Sequence, residues 1–485
     1  MTWKVLNPFD QEPIGSVELV HWPQIDRWLD EASALHADGS AWLPTDKRIA
    51  ILQRASLLMR ERAEALAQQI AREGGKPIVD ARVETSRAIQ SVELCVHELF
   101  ASGGREIPMD LSEAGEGRRA YTFREPIGPV VAISAFNHPL NLIVHQVGPA
   151  VATGCPVLVK PAKDTPFSCK SFVEILLEAG LAENWCRFAP CTDEVAQRMV
   201  TDPRTAFFSF IGSAKVGWML RSKLAPGTRV ALEHGGAAPV IVDEQVPPQR
   251  VIPRLLTGGF YHSGQVCVSV QRVFVPRAEL ADFAAELGAG AEALVVGDPI
   301  KDETQCGPLI RPAEVDRVEA WVDAAVEGGA GLAAGGNRIG ATLYRPTVLV
   351  DPPRDAMVSR EEVFGPVVCV YGYDKLDAAI AQANELPYAF QAAVFTERTH
   401  IADRCIEALA ASSVLVNDHT AFRVDWMPFA GRRQSGLGTG GIGYTMADMS
   451  QEKMVVMTRP PRSGRPHWVR PVLGRSGIPT LRSNR

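Results

Sequence analysis

No two cysteines in this sequence stand at C-x-x-C spacing, and no cysteine–histidine cluster has the spacing of a zinc site. The nine cysteines are scattered and odd in number. That argues against a disulfide framework and a metal site, and for free thiols in a reducing, cytoplasmic compartment. The opening Met1-Thr2-Trp3-Lys4-Val5-Leu6-Asn7-Pro8 lacks the apolar core of a secretory signal. No apolar run approaches the roughly 18 residues of a membrane span. A basic excess is missing too: the net charge of −6 leaves no basic face for bulk nucleic-acid binding. The G-x-G-x-x-G dinucleotide fingerprint is absent, as are internal repeats and long low-complexity tracts. The exception is the tail from Pro460, with Arg462, Arg465, Arg470, Arg475, Arg482 and Arg485 and no acid. It reads as a solvated tail or as an arm packed on a partner subunit.

What remains is ordinary for a soluble globular enzyme: 46% hydrophobic and 22% charged residues. A chain of 485 residues is too long for one core, so two or three domains are expected. Apolar periodicity predicts a long helix over 46–73, stopped by Gly74-Gly75-Lys76-Pro77, and a second over about 79–101. Val130-Val131-Ala132-Ile133-Ser134 and Val157-Leu158-Val159-Lys160 read as buried strands flanking a helix over 140–153 that ends at Gly154. A further helix is predicted over about 167–179. The alternation recurs with strands at 239–242 and 272–275 and helices at 253–262, 278–294 and 312–327. Strands alternating with helices imply parallel sheets with crossovers. The fold class is therefore α/β, with two such domains meeting near Gly235-Gly236. The polar, alternating stretch 108–125 reads as a hairpin excursion.

Three segments carry chemistry. Cys267 follows Ser263-Gly264-Gln265-Val266, a polar break where backbone can approach a ligand closely. Glu233 follows the strand-like Val230-Ala231-Leu232 and precedes two glycines. Asn137 lies in Ala135-Phe136-Asn137-His138-Pro139. A thiol attacks a carbonyl, a carboxamide holds the oxyanion, and a carboxylate activates water. Phe210-Ile211-Gly212-Ser213 ends a strand and opens a helix, which is an anion site through free N–H groups and the helix dipole.

These segments, in this order, resemble the aldehyde dehydrogenase superfamily over roughly residues 1 to 457. Gly264-Gln265-Val266-Cys267 with Arg272 resembles its cysteine motif. Leu232-Glu233-His234-Gly235-Gly236 resembles its glutamate motif, with His234 where leucine is usual and with Glu233 34 residues before Cys267. Phe136-Asn137 resembles the tryptophan–asparagine pair. Lys160-Pro161-Ala162, Gly212-Ser213 and Glu362-Val363-Phe364-Gly365-Pro366 resemble the cofactor motifs, and Pro428-Phe429-Ala430-Gly431 with Ser435-Gly436 the C-terminal one. The resemblance implies NAD or NADP as cofactor, a small aldehyde as substrate, no metal, and a homodimer or homotetramer. It implies a Rossmann-like cofactor domain over 1–107 and 127–234 and an α/β catalytic domain over 235–430. A small β oligomerisation hairpin at 108–126 and the segment 431–485 complete the chain. Cys267 would form a thiohemiacetal and then a thioester, with Asn137 holding the oxyanion and Glu233 activating water. Lys160 would bind the adenosine ribose, Ser213 a phosphate and Glu362 the nicotinamide ribose, while Phe364 would pack on the nicotinamide.

The departures refine these expectations. Lys163 stands where NAD-preferring members often carry glutamate, so NADP is expected to serve at least comparably to NAD. The segment Phe188-Ala189-Pro190-Cys191 lacks the family's usual glycine. His138, His145, His419, Phe422, Arg423 and Trp426 are expected at the substrate entrance. Arg423 there would favour a short polar or anionic aldehyde, unless it pairs structurally with Asp425 or a partner chain. The seven-residue spacing of His138 and His145 would place both on one helix face. A CoA-acylating semialdehyde dehydrogenase would dispense with Glu233. A catalytically silent protein on the same fold would have lost the thiol or the amide. Both groups are present, so the hydrolytic reading leads.

Overall fold

The structure, a computed structural model, describes residues 1–458. The arginine-bearing tail from Pro460 lies outside the described residues. Two sheets organise the larger of two units, Met1–Ser102 with Glu125–Gln451. The first sheet has the strand order Gly436–Leu437, Arg229–Glu233, Phe207–Ile211, Val130–Ile133, Val157–Lys160, Cys186–Phe188. Its neighbours pair in parallel except Gly436–Leu437, which runs antiparallel to Leu232 and Glu233. The second sheet orders Gly331–Ala334, Thr347–Val350, Val367–Tyr373, Val270–Pro276, Ala238–Val242, Gln391–Phe395 and Ser413–Val416. It too is parallel apart from its first strand. The chain passes from one sheet to the other between Glu233 and Ala238.

The strands form where they do because both faces are covered. Val130–Ile133 and Val157–Lys160 are buried throughout, as parallel strands between helical layers require. In the first sheet the chain runs outward from Val130–Ile133 to Cys186–Phe188, then returns to the other side at Phe207–Ile211. That reversal opens a crevice at the carboxyl ends of the strands.

Several boundaries differ from the sequence reading. The helix expected over 46–73 is two, Thr45–Glu61 and Ala63–Gly74, broken at Arg62, whose guanidinium pairs with Glu178 at 2.7 Å. Gly75 ends the second in a left-handed conformation, φ 69°. The helix expected from Pro253 starts at Pro248, because proline suits the first helical position. His138 precedes the helix Asn141–Thr153 that carries His145, so the two do not share a helix face. The C-terminal segment expected as an oligomerisation arm from residue 431 begins within the α/β body. Gly436–Leu437 extends the first sheet, and Ile442, Met446 and Met449 are buried in its core, held there by apolar contact.

Among the described residues, the smaller unit comprises Gly103–Arg124 and residues 452–458. Ser450–Thr458, Arg118–Pro126 and Glu106–Ile107 form one three-stranded sheet, so the expected hairpin carries a third strand. Tyr121, Phe123, Met454, Val456 and Met457 stand exposed on its strands.

One buried ion pair fixes the loop that carries Asn137. Lys76 Nζ donates to Glu84 Oε2, and both side chains are fully buried. Glu84 Oε1 accepts from the backbone N–H groups of Leu140 and Asn141 at 3.0 and 3.1 Å, at the start of helix Asn141–Thr153. A carboxylate there satisfies orphan donors and meets the positive end of the dipole. Glu84→Ala leaves the Lys76 ammonium buried and unpaired, so it should cost about 3–5 kcal/mol. Urea unfolding measures this; a loss under about 1 kcal/mol would show that Lys76 is held by other groups.

Candidate active site

A cavity of about 780 Å³ opens at the carboxyl ends of the first sheet. Cys267, Glu233, Asn137, Lys160, Lys163, Gly212, Ser213, Glu362, Phe364, His138 and Arg423 all line it. Glu233 ends its strand, Asn137 follows Val130–Ile133, and Cys267 precedes Val270–Pro276 of the second sheet.

The turn before Cys267 is unusual. His262, Ser263 and Gly264 have φ values of 47°, 56° and 71°, three consecutive left-handed residues. Such conformations persist only where surroundings enforce them. A side chain at position 264 would lie 2.1 Å from the Gly365 carbonyl oxygen, so glycine is required. Gln265 anchors the turn: its Oε1 accepts from the Ile310 N–H at 2.9 Å, and its Nε2 donates to the His262 and Pro308 carbonyls. Its own carbonyl accepts from Asn137 Nδ2 at 2.8 Å. One amide hydrogen of Asn137 is thus committed, which orients the side chain and leaves the second hydrogen.

Cys267 Sγ lies 4.0 Å from Glu233 Oε1. Burial, and then the neighbouring Glu233 carboxylate, push the thiol well above its ordinary range, with Arg423 pulling the other way. Burial also raises Glu233, again against Arg423. Two acids so close in a poorly hydrated site do not both ionise readily. Arg423 Nη1, 4.0 Å from Glu233 Oε1, faces the pair and favours a negative charge on it.

Arg423 lies flat on Phe429, 3.6 Å from the ring centroid. Its Nε is buried without a hydrogen-bond partner, because Asp425 Oδ1 stands at 3.8 Å. Asp425 is taken by others. Arg87 grips it through two bonds of 2.7 and 3.0 Å, and His145 Nε2 lies 2.8 Å away. Burial works against ionisation of Asp425, but His145 and Arg87 hold its carboxyl well below the usual range. Arg87 also lines the cavity, and the sequence reading missed it. Its signal was a charged side chain on the buried stripe of helix Ile78–Ala101, beside Glu84, Ala88 and Ser91.

The remaining expected entrance residues separate. His138 is in the cavity, with Nε2 3.1 Å from the Tyr261 hydroxyl, and burial holds its imidazole well below its usual range. His145 is buried behind the cavity wall as a partner of Asp425, not at the entrance. Phe422 and Trp426 are exposed and do not line the cavity, and His419 faces a separate groove.

The cavity fits a nicotinamide dinucleotide. Ser213 stands at the N-cap of helix Ala214–Arg221 with its hydroxyl uncommitted to the cap, and the helix's free N–H groups form an anion site. Glu362 is half-buried with its Oε1 buried and unpartnered, and desolvation pushes its carboxyl up to about 8, tempered by the Gly236 N–H and Arg317. A hydroxyl donor would satisfy that oxygen. A side chain at position 235 would collide with the same carboxylate at 1.5 Å. Phe364 meets Phe136 edge to face at 5.7 Å, as an aromatic wall. His234, in place of the usual leucine, has Nδ1 2.8 Å from the Gly212 carbonyl oxygen, so it ties the glutamate strand to the Gly212-Ser213 turn.

Residues 1–455 match the profile of the Aldehyde dehydrogenase family. The 3-sulfolactaldehyde dehydrogenase of Priestia aryabhattai is 35% identical over 457 residues, 94% of each chain. Aldehyde dehydrogenase 21 from Physcomitrella patens, solved with the reaction product succinate, superposes with a TM-score of 0.91 at 34% identity, covering 94% of this chain and 95% of that one. The glyceraldehyde-3-phosphate dehydrogenase of Methanocaldococcus jannaschii, solved with NADP, gives a TM-score of 0.89 at 32% identity, covering 94% and 99%. The chain belongs to the aldehyde dehydrogenase family, and its activity is the NAD(P)-dependent oxidation of an aldehyde to the carboxylic acid.

The Cys267–Glu233 coupling has a measurable sign. Glu233→Gln removes a negative neighbour and so should lower the thiol pKa. Alkylation of Cys267 by iodoacetamide at neutral pH should then speed up several-fold, its pH profile shifting to lower pH. A slower reaction would mean that Glu233 draws the proton from the thiol.

Proposed function

We propose that this family member oxidises a short aldehyde carrying an anionic group, through a covalent adduct on Cys267 hydrolysed with Glu233 as base. Cys267 Sγ adds to the carbonyl carbon to give a thiohemiacetal. The free amide hydrogen of Asn137 and the Cys267 backbone N–H receive the oxyanion. A bound nicotinamide supplies the hydride acceptor, and the carbon on Cys267 is then a thioester. Glu233 takes a proton from the attacking water, and the acid leaves as the thiol is restored. Support for a hydrolytic rather than CoA-acylating route is the Glu233 carboxylate 4.0 Å from the sulfur. Lys160 and Lys163 would hold the adenosine ribose, Gly212 and Ser213 the diphosphate, and Glu362 the nicotinamide ribose, with Phe364 against the nicotinamide. With Lys163 exposed in the cavity, NADP should serve at least comparably to NAD.

One observation carries the substrate class. Arg423 presents a buried guanidinium to the cavity whose nearest carboxylate oxygens stand at 3.8 and 4.0 Å. A substrate carboxylate, sulfonate or phosphate would complete its bonding, with Arg87 alongside. Of the three relatives, one is named for a sulfonated aldehyde, one for a phosphorylated aldehyde, and one was solved with a dicarboxylate product. Nine unpaired cysteines support a cytoplasmic location. No helix among the described residues is long and apolar enough to cross a membrane. The exposed apolar side chains of the smaller unit support assembly as a homodimer or homotetramer.

Arg423→Ala should raise KM for succinate semialdehyde at least tenfold while changing that for propanal less than threefold. Equal effects on both, or a wild-type preference for long alkanals, would overturn the anionic assignment.

A further inference from the structure

The adenosine half of the dinucleotide site contains a carboxylate that the local motif does not announce. Lys160 ends Val157–Lys160, and Asp193 opens helix Asp193–Thr201 after the neighbouring edge strand Cys186–Phe188. Three strand spacings, about 14 Å, separate the strand of Glu233 from that of Lys160. The Gly212-Ser213 turn follows a strand lying between them. A dinucleotide with its reacting ring at Cys267 and its diphosphate on that turn therefore lays its adenosine ribose toward Lys160 and Asp193.

There the charges oppose each other. Lys160 Nζ is 3.5 Å from Asp193 Oδ1 and 5.4 Å from the Trp3 ring centroid, so the ammonium is held between a carboxylate and an indole face. The Asp193 carboxylate is fully exposed and lines the cavity with Lys163 and Trp3. It is not used as a helix cap, since Thr192 Oγ1 accepts from the Val195 N–H. A ribose 2′-hydroxyl can donate to such a carboxylate, whereas a 2′-phosphate is repelled by it. Lys163 acts in the opposite direction.

We propose that Asp193 is a specificity-determining residue at the 2′ position, set against Lys163, and that this opposition keeps the enzyme usable with both NAD and NADP. The inference rests on the dinucleotide reading of the cavity. Isothermal titration of the full chain without aldehyde, using NAD⁺ and NADP⁺ as probes, tests it. Asp193→Asn should tighten NADP⁺ binding about five- to tenfold and weaken NAD⁺ binding two- to threefold, with the shift shrinking at high salt as exposed charges are screened. Lys163→Ala should weaken NADP⁺ alone. A ratio of the two dissociation constants that stays within twofold of wild type in Asp193→Asn overturns the proposal. Binding of neither nucleotide to the wild-type chain would instead overturn the dinucleotide reading, and the inference with it.

Discussion

The separation of 4.0 Å between Cys267 Sγ and Glu233 Oε1 governs the rest of the site. In the proposed mechanism a nucleophile and a general base must both reach the same carbonyl carbon, yet two anions so close and so poorly hydrated are unfavourable together. The chain answers with a nearby cation. Arg423 faces Glu233 and Asp425 without closing on either, so it moderates Glu233 and the thiol while its own Nε stays without a partner. Arg87 and His145 occupy Asp425, which would otherwise claim Arg423. The same arrangement that tempers the thiol–carboxylate pair therefore leaves a guanidinium able to receive an anionic substrate.

Holding that separation requires rigid supports on three sides. The left-handed turn at His262–Gly264 is pressed against Gly365, and Gln265 ties it to Asn137 and to the Pro308–Ile310 segment. Glu233 is fixed by its place at the end of a parallel strand, flanked by the antiparallel Gly436–Leu437. His234 carries that constraint to the Gly212-Ser213 turn. A side chain on Gly217 would meet the His234 ring at 2.0 Å, so the helix and the glutamate strand approach closely. Thiol, carboxylate and the Gly212-Ser213 turn are thus registered by backbone conformation and by buried side chains that bond to backbone, which favours precise approach of the reacting atoms.

Much of this was legible because local chemistry announces itself locally. Cys267, Glu233 and Gly212-Ser213 each sit beside a glycine or a strand end, and the alternation of apolar runs with helical periodicity implied the two sheets. The long-range pairs were not legible. Arg87 and Asp425 are 338 residues apart in the chain, and nothing near either residue specifies the other. The same holds for Asp193, which reads as an ordinary acidic helix start until the sheet order places it against Lys160. His138 and His145 show the reverse error. Their spacing suits a helix, but the Asn-His-Pro segment bends before the helix begins, so one histidine reaches the cavity and the other serves a buried carboxylate.

The covalent role of Cys267 and the separate role of Glu233 are tested most directly by intact-protein mass spectrometry of Glu233→Gln, incubated with an anionic aldehyde and NADP⁺ and mapped by peptide digestion. The expected result is an acyl group replacing one hydrogen on the peptide that contains Cys267, persistent in the variant and transient in the wild-type enzyme. An unmodified Cys267 peptide with continued NADPH formation, or an acyl group on another cysteine, would contradict the assignment.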